Sequence, residues 1–241
     1  MNNRTCEIMD TTLRDGEQMK DVTFSPAQKE LIAYELLKIG IHRIEVASAH
    51  AVEQDEEAIA SICKTAEEMN KKDAVEVLCF VDYDKSINWA MSLGVRTVNL
   101  LAKGSEEHCR KQIKKTPQEY FVHLAKSIEY ADKKGININV YLEDWSHGEK
   151  NSPDYVTDLI NLLSGLHIKR IMLPDTLGIL NFWEVESLVG KRIKEFPNLH
   201  FDFHAHNDLG LSTANSIAAI KAGVHGVHVT LNRLGERAGN A

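Results

Sequence analysis

Phe201-Asp202-Phe203-His204-Ala205-His206-Asn207-Asp208-Leu209-Gly210 alternates apolar with polar side chains over its first half. That is the period of a β-strand, so Phe201, Phe203 and Ala205 share one face and Asp202, His204 and His206 the other. Two imidazoles at i and i+2 on one face can hold one cation between them, but two ligands do not close a metal site. A carboxylate has to come from elsewhere. The best donor lies far upstream, at Asp15 in Asp10-Thr11-Thr12-Leu13-Arg14-Asp15-Gly16-Glu17-Gln18. The fold must therefore carry position 15 to the side of position 206.

Outward from that stretch, short apolar runs alternate with longer segments of helical period. The runs predict strands over Cys6–Thr11, Arg43–Ala47, Ala74–Val81, Arg96–Leu101, Ile136–Leu142, Ile168–Leu173, His200–Ala205 and Gly226–Thr230. Helices are predicted over Pro26–Ile39, Glu53–Asn70, Ser86–Met91, Pro117–Lys133, Pro153–Leu163, Phe182–Phe196 and Leu211–Lys221. Pro26, Pro117 and Pro153 each follow a Ser or Thr, the N-cap-then-proline start of a helix. Gly40, Gly94, Gly135, Gly165 and Gly223 stand where a helix-ending glycine belongs.

Eight strands alternating strictly with seven helices predict a (β/α)8 TIM barrel, one catalytic domain over residues 1–241. A doubly wound sheet is the alternative, but no G-x-G-x-x-G turn follows the first strand. No helix is predicted after the eighth strand, so the natural polypeptide is expected to continue past Ala241 into the last helix and accessory regions. Barrel active sites lie at the C-terminal strand ends. Those ends carry Arg14 and Asp15, Glu45, Asp82, Lys103 and Ser105, Glu143 and Asp144, Asp175 and Thr176, His204 and His206. Closure makes the first strand a neighbour of the eighth, so Asp15 can reach His206.

Composition narrows the function classes. With 43% hydrophobic and 26% charged residues the chain can bury one sizeable core. It has 35 acidic against 28 basic residues and no basic stripe, which speaks against a nucleic-acid partner. No apolar run approaches the ~18–20 residues of a membrane span, and the first residues lack the apolar core of a signal peptide. Cys6, Cys63, Cys79 and Cys109 have no paired spacing, so neither a disulfide framework nor a zinc knuckle is indicated. A cytoplasmic protein with reduced thiols is expected.

Asp15, His204 and His206 form a two-histidine, one-carboxylate set that leaves coordination positions open for a substrate. A polar barrel interior is the other reading of a His-x-His strand, and the distant carboxylate is what favours the metal. Arg14 keeps its proton and suits an oxyanion or a carboxylate. Glu143 and Asp144 are candidates for a general base. Glu45 sits in the apolar run Ile44-Glu45-Val46-Ala47 and needs a buried partner, for which Arg14 is in place. Thr176 can bond a substrate carboxylate or cap the next helix. His50, His108, His147 and the remaining histidines read as surface or packing residues.

Four ordered motifs carry a family resemblance: Asp10 to Gln18, Pro174-Asp175-Thr176-Leu177-Gly178, His204 to Gly210, and Gly235-Glu236-Arg237-Ala238-Gly239-Asn240-Ala241. Together they resemble the DRE-TIM metallolyase superfamily, most of all its 2-isopropylmalate, citramalate and homocitrate synthases. The resemblance implies a divalent metal ion (Mg, Mn or Zn) on Asp15, His204 and His206, with Asn240 a further ligand or near neighbour. It implies an acyltransferase, most like 2-isopropylmalate synthase of leucine biosynthesis, that condenses acetyl-CoA with a 2-oxo acid. Arg14 would steady the enolate or oxyanion and Glu143 would belong to the proton-transfer apparatus. Gln18, Glu45 and Thr176 would line the substrate site, and the protein would be a homodimer.

The lyase branch of that superfamily uses a cysteine in the loop after the eighth strand. Asn232-Arg233-Leu234-Gly235-Glu236-Arg237 has none, which favours a synthase. Relatives that take a dicarboxylic oxo acid carry an arginine where Asn139 aligns, so a monocarboxylic oxo acid is expected. Asn99 stands where a histidine is common, Tyr141 where a serine is usual, and Arg233 where a glycine is usual.

Overall fold

The computed structural model describes residues 5–49 and 53–241; His50 and residues 1–4 lie outside them. Eight parallel strands close into a barrel in chain order. They are β1 (Glu7–Asp10), β2 (Arg43–Ser48), β3 (Val75–Phe80) and β4 (Thr97–Lys103), then β5 (Asn137–Glu143), β6 (Arg170–Asp175), β7 (Phe201–Ala205) and β8 (Gly226–Val229). The ring shuts where β1 pairs with β8, from Glu7 opposite Gly226 to Asp10 opposite Val229. The predicted barrel is the observed one.

Nine helices surround the barrel among the described residues. α1 (Pro26–Lys38), α2 (Glu53–Glu68) and α3 (Lys85–Ser92) follow the first three strands. After β4 come α4 (Glu106–His108), running on into a π-helical turn, and α5 (Pro117–Lys133). After β5 come α6 (Trp145–Asn151) and α7 (Pro153–Ser164), and α8 (Phe182–Glu195) and α9 (Ser212–Ala222) follow β6 and β7. Strict alternation is thus broken twice, by α4 and α6, both too short to show a helical period in sequence. Gly148 disguises α6 further. The helix packs so close to the loop after β4 that a Cβ there would lie 2.1 Å from the Gly104 carbonyl oxygen, so only glycine fits.

Ser25 and Thr116 form full capping boxes, with Gln28 and Glu119 as the reciprocal partners. Ser152 departs from expectation. It also terminates α6, donating its backbone N–H to the Gly148 carbonyl, and its hydroxyl makes no cap to α7. Gly40, Gly94, Gly135 and Gly223 take the predicted left-handed turn, whereas Gly165 keeps a negative φ.

The alternation on each strand sorts two apolar clusters. Phe201, Phe203, Ile171, Leu173, Val98 and Leu100 belong to the large core between strands and helices. Met9, Leu78, Tyr141 and Met172 form a small separate cluster inside the barrel. The other inward positions are polar, among them Glu45, Glu76, Asn99, Asn139, Asp202, His204 and His228, all buried. No described helix is long and apolar enough to cross a membrane.

Candidate active site

The turn after β1 sets the first two side chains. Arg14, Asp15 and Gly16 all donate backbone N–H groups to the Thr11 carbonyl, at 3.1, 2.8 and 3.1 Å, while Asp10 accepts from Thr12 N–H at 2.8 Å. That tight coil holds Arg14 and Asp15 over the barrel mouth. The loop after β8 folds back on top of it. Leu231 N–H donates to the Thr12 hydroxyl at 2.8 Å, and Asn207 N–H donates to the Gly239 carbonyl at 2.8 Å. Arg237 donates to Asp208 at 2.7 Å and to the Thr176 carbonyl at 2.6 Å. The four motifs distant in sequence are therefore one hydrogen-bonded assembly.

At its centre His204 Nε2 lies 3.1 Å from Asp15 Oδ2 and 3.2 Å from His206 Nε2, and His206 Nε2 lies 3.8 Å from the same carboxylate oxygen. All three residues are buried, and one ligand atom from each falls within 4.8 Å of the others. Burial pushes the Asp15 carboxyl up, but Arg14 and then the imidazoles outweigh it and hold it well below the usual carboxylate range. Burial, reinforced by His204, drives His206 down to about 3. A carboxylate and two neutral imidazoles are the donor set a borderline divalent cation takes. The His206 Nδ1 and both amide atoms of Asn240 are buried without a protein partner, and the backbones of His206 and Asn240 form an isolated bridge. The residues present fit a metal centre that uses three ligands and keeps others open.

Arg14 ties the centre to the barrel interior. Its Nε donates to Glu45 Oε2 at 2.5 Å and its Nη1 lies 3.1 Å from Asp15 Oδ2. Burial would lower its pKa, and Glu45 and Asp15 more than reverse that, so the guanidinium stays charged. Beside these groups opens a cleft of about 150 Å³ lined by Arg14, Asp15, Leu78, Leu101, Tyr141 and Thr176, with Gln18, Glu143, His204 and His206 on the same walls. The cleft contains a cation, an anion-rich donor cluster and an apolar floor within one small space.

Residues 5–241 match the HMGL-like family. The chain belongs to the HMGL-like family. It is 35% identical to a putative (R)-citramalate synthase of Archaeoglobus fulgidus, over 98% of this chain and 46% of that protein. It is 32% identical to a probable 2-isopropylmalate synthase of Ignicoccus hospitalis, over 97% of this chain and 57% of that protein. The chain thus spans about half the length of these curated relatives. Among solved structures, the HMG-CoA lyase of Bacillus subtilis superposes with a TM-score of 0.78 at 24% identity, covering 99% of this chain and 83% of that one. That similarity establishes the shared fold.

The structure brings Arg14, Asp15, Gln18, Glu143, Thr176, His204 and His206 onto one cleft and sets Glu45, Asn240 and Asp144 off its wall. Glu45 lies behind Arg14 and not on the cleft wall, and its other oxygen accepts from Asn99 at 2.6 Å. Asn240 is buried beside Gly235. Glu143 is ion-paired with Lys103. Thr176 accepts the Asp144 backbone N–H through its hydroxyl at 2.9 Å. Asp144 itself faces Ser105, His108 and His147, so it orders the loops and is absent from the cleft lining. His108 and His147 are partly exposed, as expected. His228 is of the packing kind, fully buried behind His204. Its inward position was readable from the alternation Gly226-Val227-His228-Val229, but its partner was not. Leu78, Leu101 and Glu236 also escaped the sequence reading, because only cross-barrel geometry puts them on the cleft.

Proposed function

We propose that residues 1–241 form the catalytic barrel of an enzyme that condenses acetyl-CoA with a monocarboxylic 2-oxo acid and releases CoA. The observation that carries this reading is the convergence of Asp15, His204 and His206 on the same cleft as Arg14, Thr176 and Glu143. Asp15, His204 and His206, with Asn240 close by, would hold a divalent cation, which would supply Lewis acidity toward the oxo acid.

The protein's own groups account for the rest. Arg14 presents a permanent cation to the oxygen that gains charge as the acetyl methyl group loses a proton and its carbon bonds to the ketone carbon. Glu45 fixes that guanidinium from behind. Glu143, held by Lys103, serves the proton transfer, and Thr176 and Gln18 position the oxo acid. Addition of water to the thioester then breaks the C–S bond, leaving a carboxylate and the CoA thiol. None of the cysteines lines the cleft, which disfavours a thiol-dependent lyase.

Arg14 is the only cation on the cleft wall among the described residues. A second substrate carboxylate has no fixed partner there. Asn139, the aligned position for such a partner, is buried below the cleft and donates to Asn99 at 2.8 Å. Within the monocarboxylic class the reading from sequence is 2-oxoisovalerate, giving 2-isopropylmalate. The small cavity and its Tyr141 floor favour pyruvate as the alternative, since each methylene in such a pocket is worth about 1–3 kcal/mol.

Thiol release from acetyl-CoA in the presence of Mn2+ tests the proposal, with pyruvate, 2-oxoisovalerate, 2-oxoglutarate and oxaloacetate as acceptors. Oxo-acid-dependent release that disappears in Asp15→Ala is the expected result. Metal-loaded protein that releases no thiol with any of the four would overturn it.

A further inference from the structure

We propose that His228 is a positioning residue for the metal centre, accepting the Nδ1 proton of His204 and so presenting the other nitrogen of that ring to the cation. The proposal rests on the reading of Asp15, His204 and His206 as the metal ligands. His204 turns Nε2 toward Asp15 at 3.1 Å and toward His206 Nε2 at 3.2 Å, which makes Nε2 the ligand atom. A neutral imidazole bound through Nε2 keeps its proton on Nδ1, and a buried N–H requires an acceptor. Among the described residues, the hydrogen-bond contact of His204 Nδ1 is Nδ1 of His228, at 3.3 Å.

That contact fixes the tautomer of the second ring. His228 must offer a lone pair at Nδ1 and carry its proton on Nε2. Its Nε2 lies 3.5 Å from Asp202 Oδ2, a charge contact longer than a good hydrogen bond. Asp202 in turn is clamped by Arg43. A carboxylate, an imidazole and a second imidazole thus stand in line from the barrel floor to the metal ligand. The Tyr141 hydroxyl, 3.1 Å away, donates to the same Nδ1 of His228 and itself accepts from Arg14 Nη2 at 3.4 Å. The edge of His228 is therefore where the supports of the cation and of Arg14 meet. His228 comes from β8, His204 from β7 and Tyr141 from β5, so only the closed barrel assembles them. If His228 merely filled space, any side chain of similar volume would serve.

The test is Mn2+ binding, followed by electron paramagnetic resonance of the free ion, on the full chain and two variants of nearly equal size. His228→Leu removes the acceptor; His228→Asn leaves an amide oxygen near the lost Nδ1. Losing an outer-shell partner of a metal-bound histidine costs about 10–100-fold in affinity, so that loss is expected for His228→Leu, with His228→Asn within about 3-fold of the parent. Equal affinities in the two variants, whether both weak or both tight, would overturn the proposal. A parent that fails to bind Mn2+, or Asp15→Ala that binds as tightly as the parent, would sink the metal-centre reading itself and the proposal with it. Should His228→Leu not fold, imidazole nitrogen NMR of the Zn2+-loaded parent decides. The expected pattern is a protonated Nδ1 on His204 and an unprotonated Nδ1 on His228. A proton on Nδ1 of His228 contradicts the assignment.

Discussion

At the floor of the barrel Arg43 meets Glu7 at 3.2 Å, Glu76 at 3.4 Å and Asp202, while Arg170 reaches the same Glu7 at 2.5 Å and His200 caps Asp202 at 3.1 Å. At the mouth Arg14 meets Glu45 and Asp15, but Asp15 also faces two imidazoles, and His206 Nδ1 and the Asn240 amide have no protein partner. Both ends bury an arginine among carboxylates. The floor directs every carboxylate onto a cation, which is what a buried charge needs to be tolerated in a low-dielectric interior. The mouth leaves a carboxylate and two imidazoles converging on one small space, an arrangement that fits a cation. Comparing the two ends shows that burial of charge does not by itself mark a site: the floor turns its carboxylates onto arginines, whereas at the mouth a carboxylate and two imidazoles face one space.

The comparison can be broken most directly by removing one carboxylate from each end. Asp15→Ala is expected to cut the condensation rate by about 10³-fold or more, since it removes a ligand from the proposed cation site. Its urea midpoint should move little, because Arg14 keeps Glu45. A large loss of stability with modest loss of rate would mean that the mouth is as structural as the floor. Asp202→Ala should behave in the opposite sense. It removes one of the three carboxylates around the buried Arg43 together with the contacts to His200 and His228, and is expected to cost about 3–5 kcal/mol in urea unfolding, the range for breaking a buried pair.

A pH titration sharpens the floor's side of the comparison. Burial raises the Glu7 carboxyl, but the hydrogen bond and charge of Arg170, joined by Arg43, outweigh it, so its folded pKa is lowered. A lowered folded value means stability that is complete above the unfolded carboxylate range and lost as pH falls through the folded value. Thermal melts of Glu7→Gln should therefore converge on those of the parent as pH drops from about 6 to about 3. A constant gap between the two would remove Glu7 from the acid response. The smallest effect is expected at the rim of the mouth. Arg233 holds φ at +59°, a left-handed conformation that favours glycine. Arg233→Gly should stabilise the fold by about 0.5–1 kcal/mol in urea unfolding, the relief of that conformation less the entropy glycine loses. A loss would show that the arginine side chain holds the loop in another way.

The strand and helix order was readable because each element declares itself locally, through an alternation, an N-cap or a terminal glycine. The exceptions are instructive. α6 was hidden by Gly148, whose reason for being glycine is the backbone of Gly104 on another strand's loop. Ser152 looked like a helix cap and turned out to end the preceding helix. The convergence of Asp15, His204 and His206 was readable too. His204 and His206 share a face by strand period, and closure of an eight-stranded barrel then requires Asp15 to lie near them.

What the sequence determined by itself, then, was the barrel, the meeting of Asp15, His204 and His206 at its mouth and the partnership of Arg14 with Glu45, all of which follow from periodicity and from the rule that a buried carboxylate needs a cation. What only the tertiary structure decided was the support beneath that site. The Asn139–Asn99–Glu45 chain crosses three strands, and the contact of Tyr141 with His228 spans the barrel interior from β5 to β8. Such contacts depend on strand register and barrel closure, which set distances between residues that no local pattern relates.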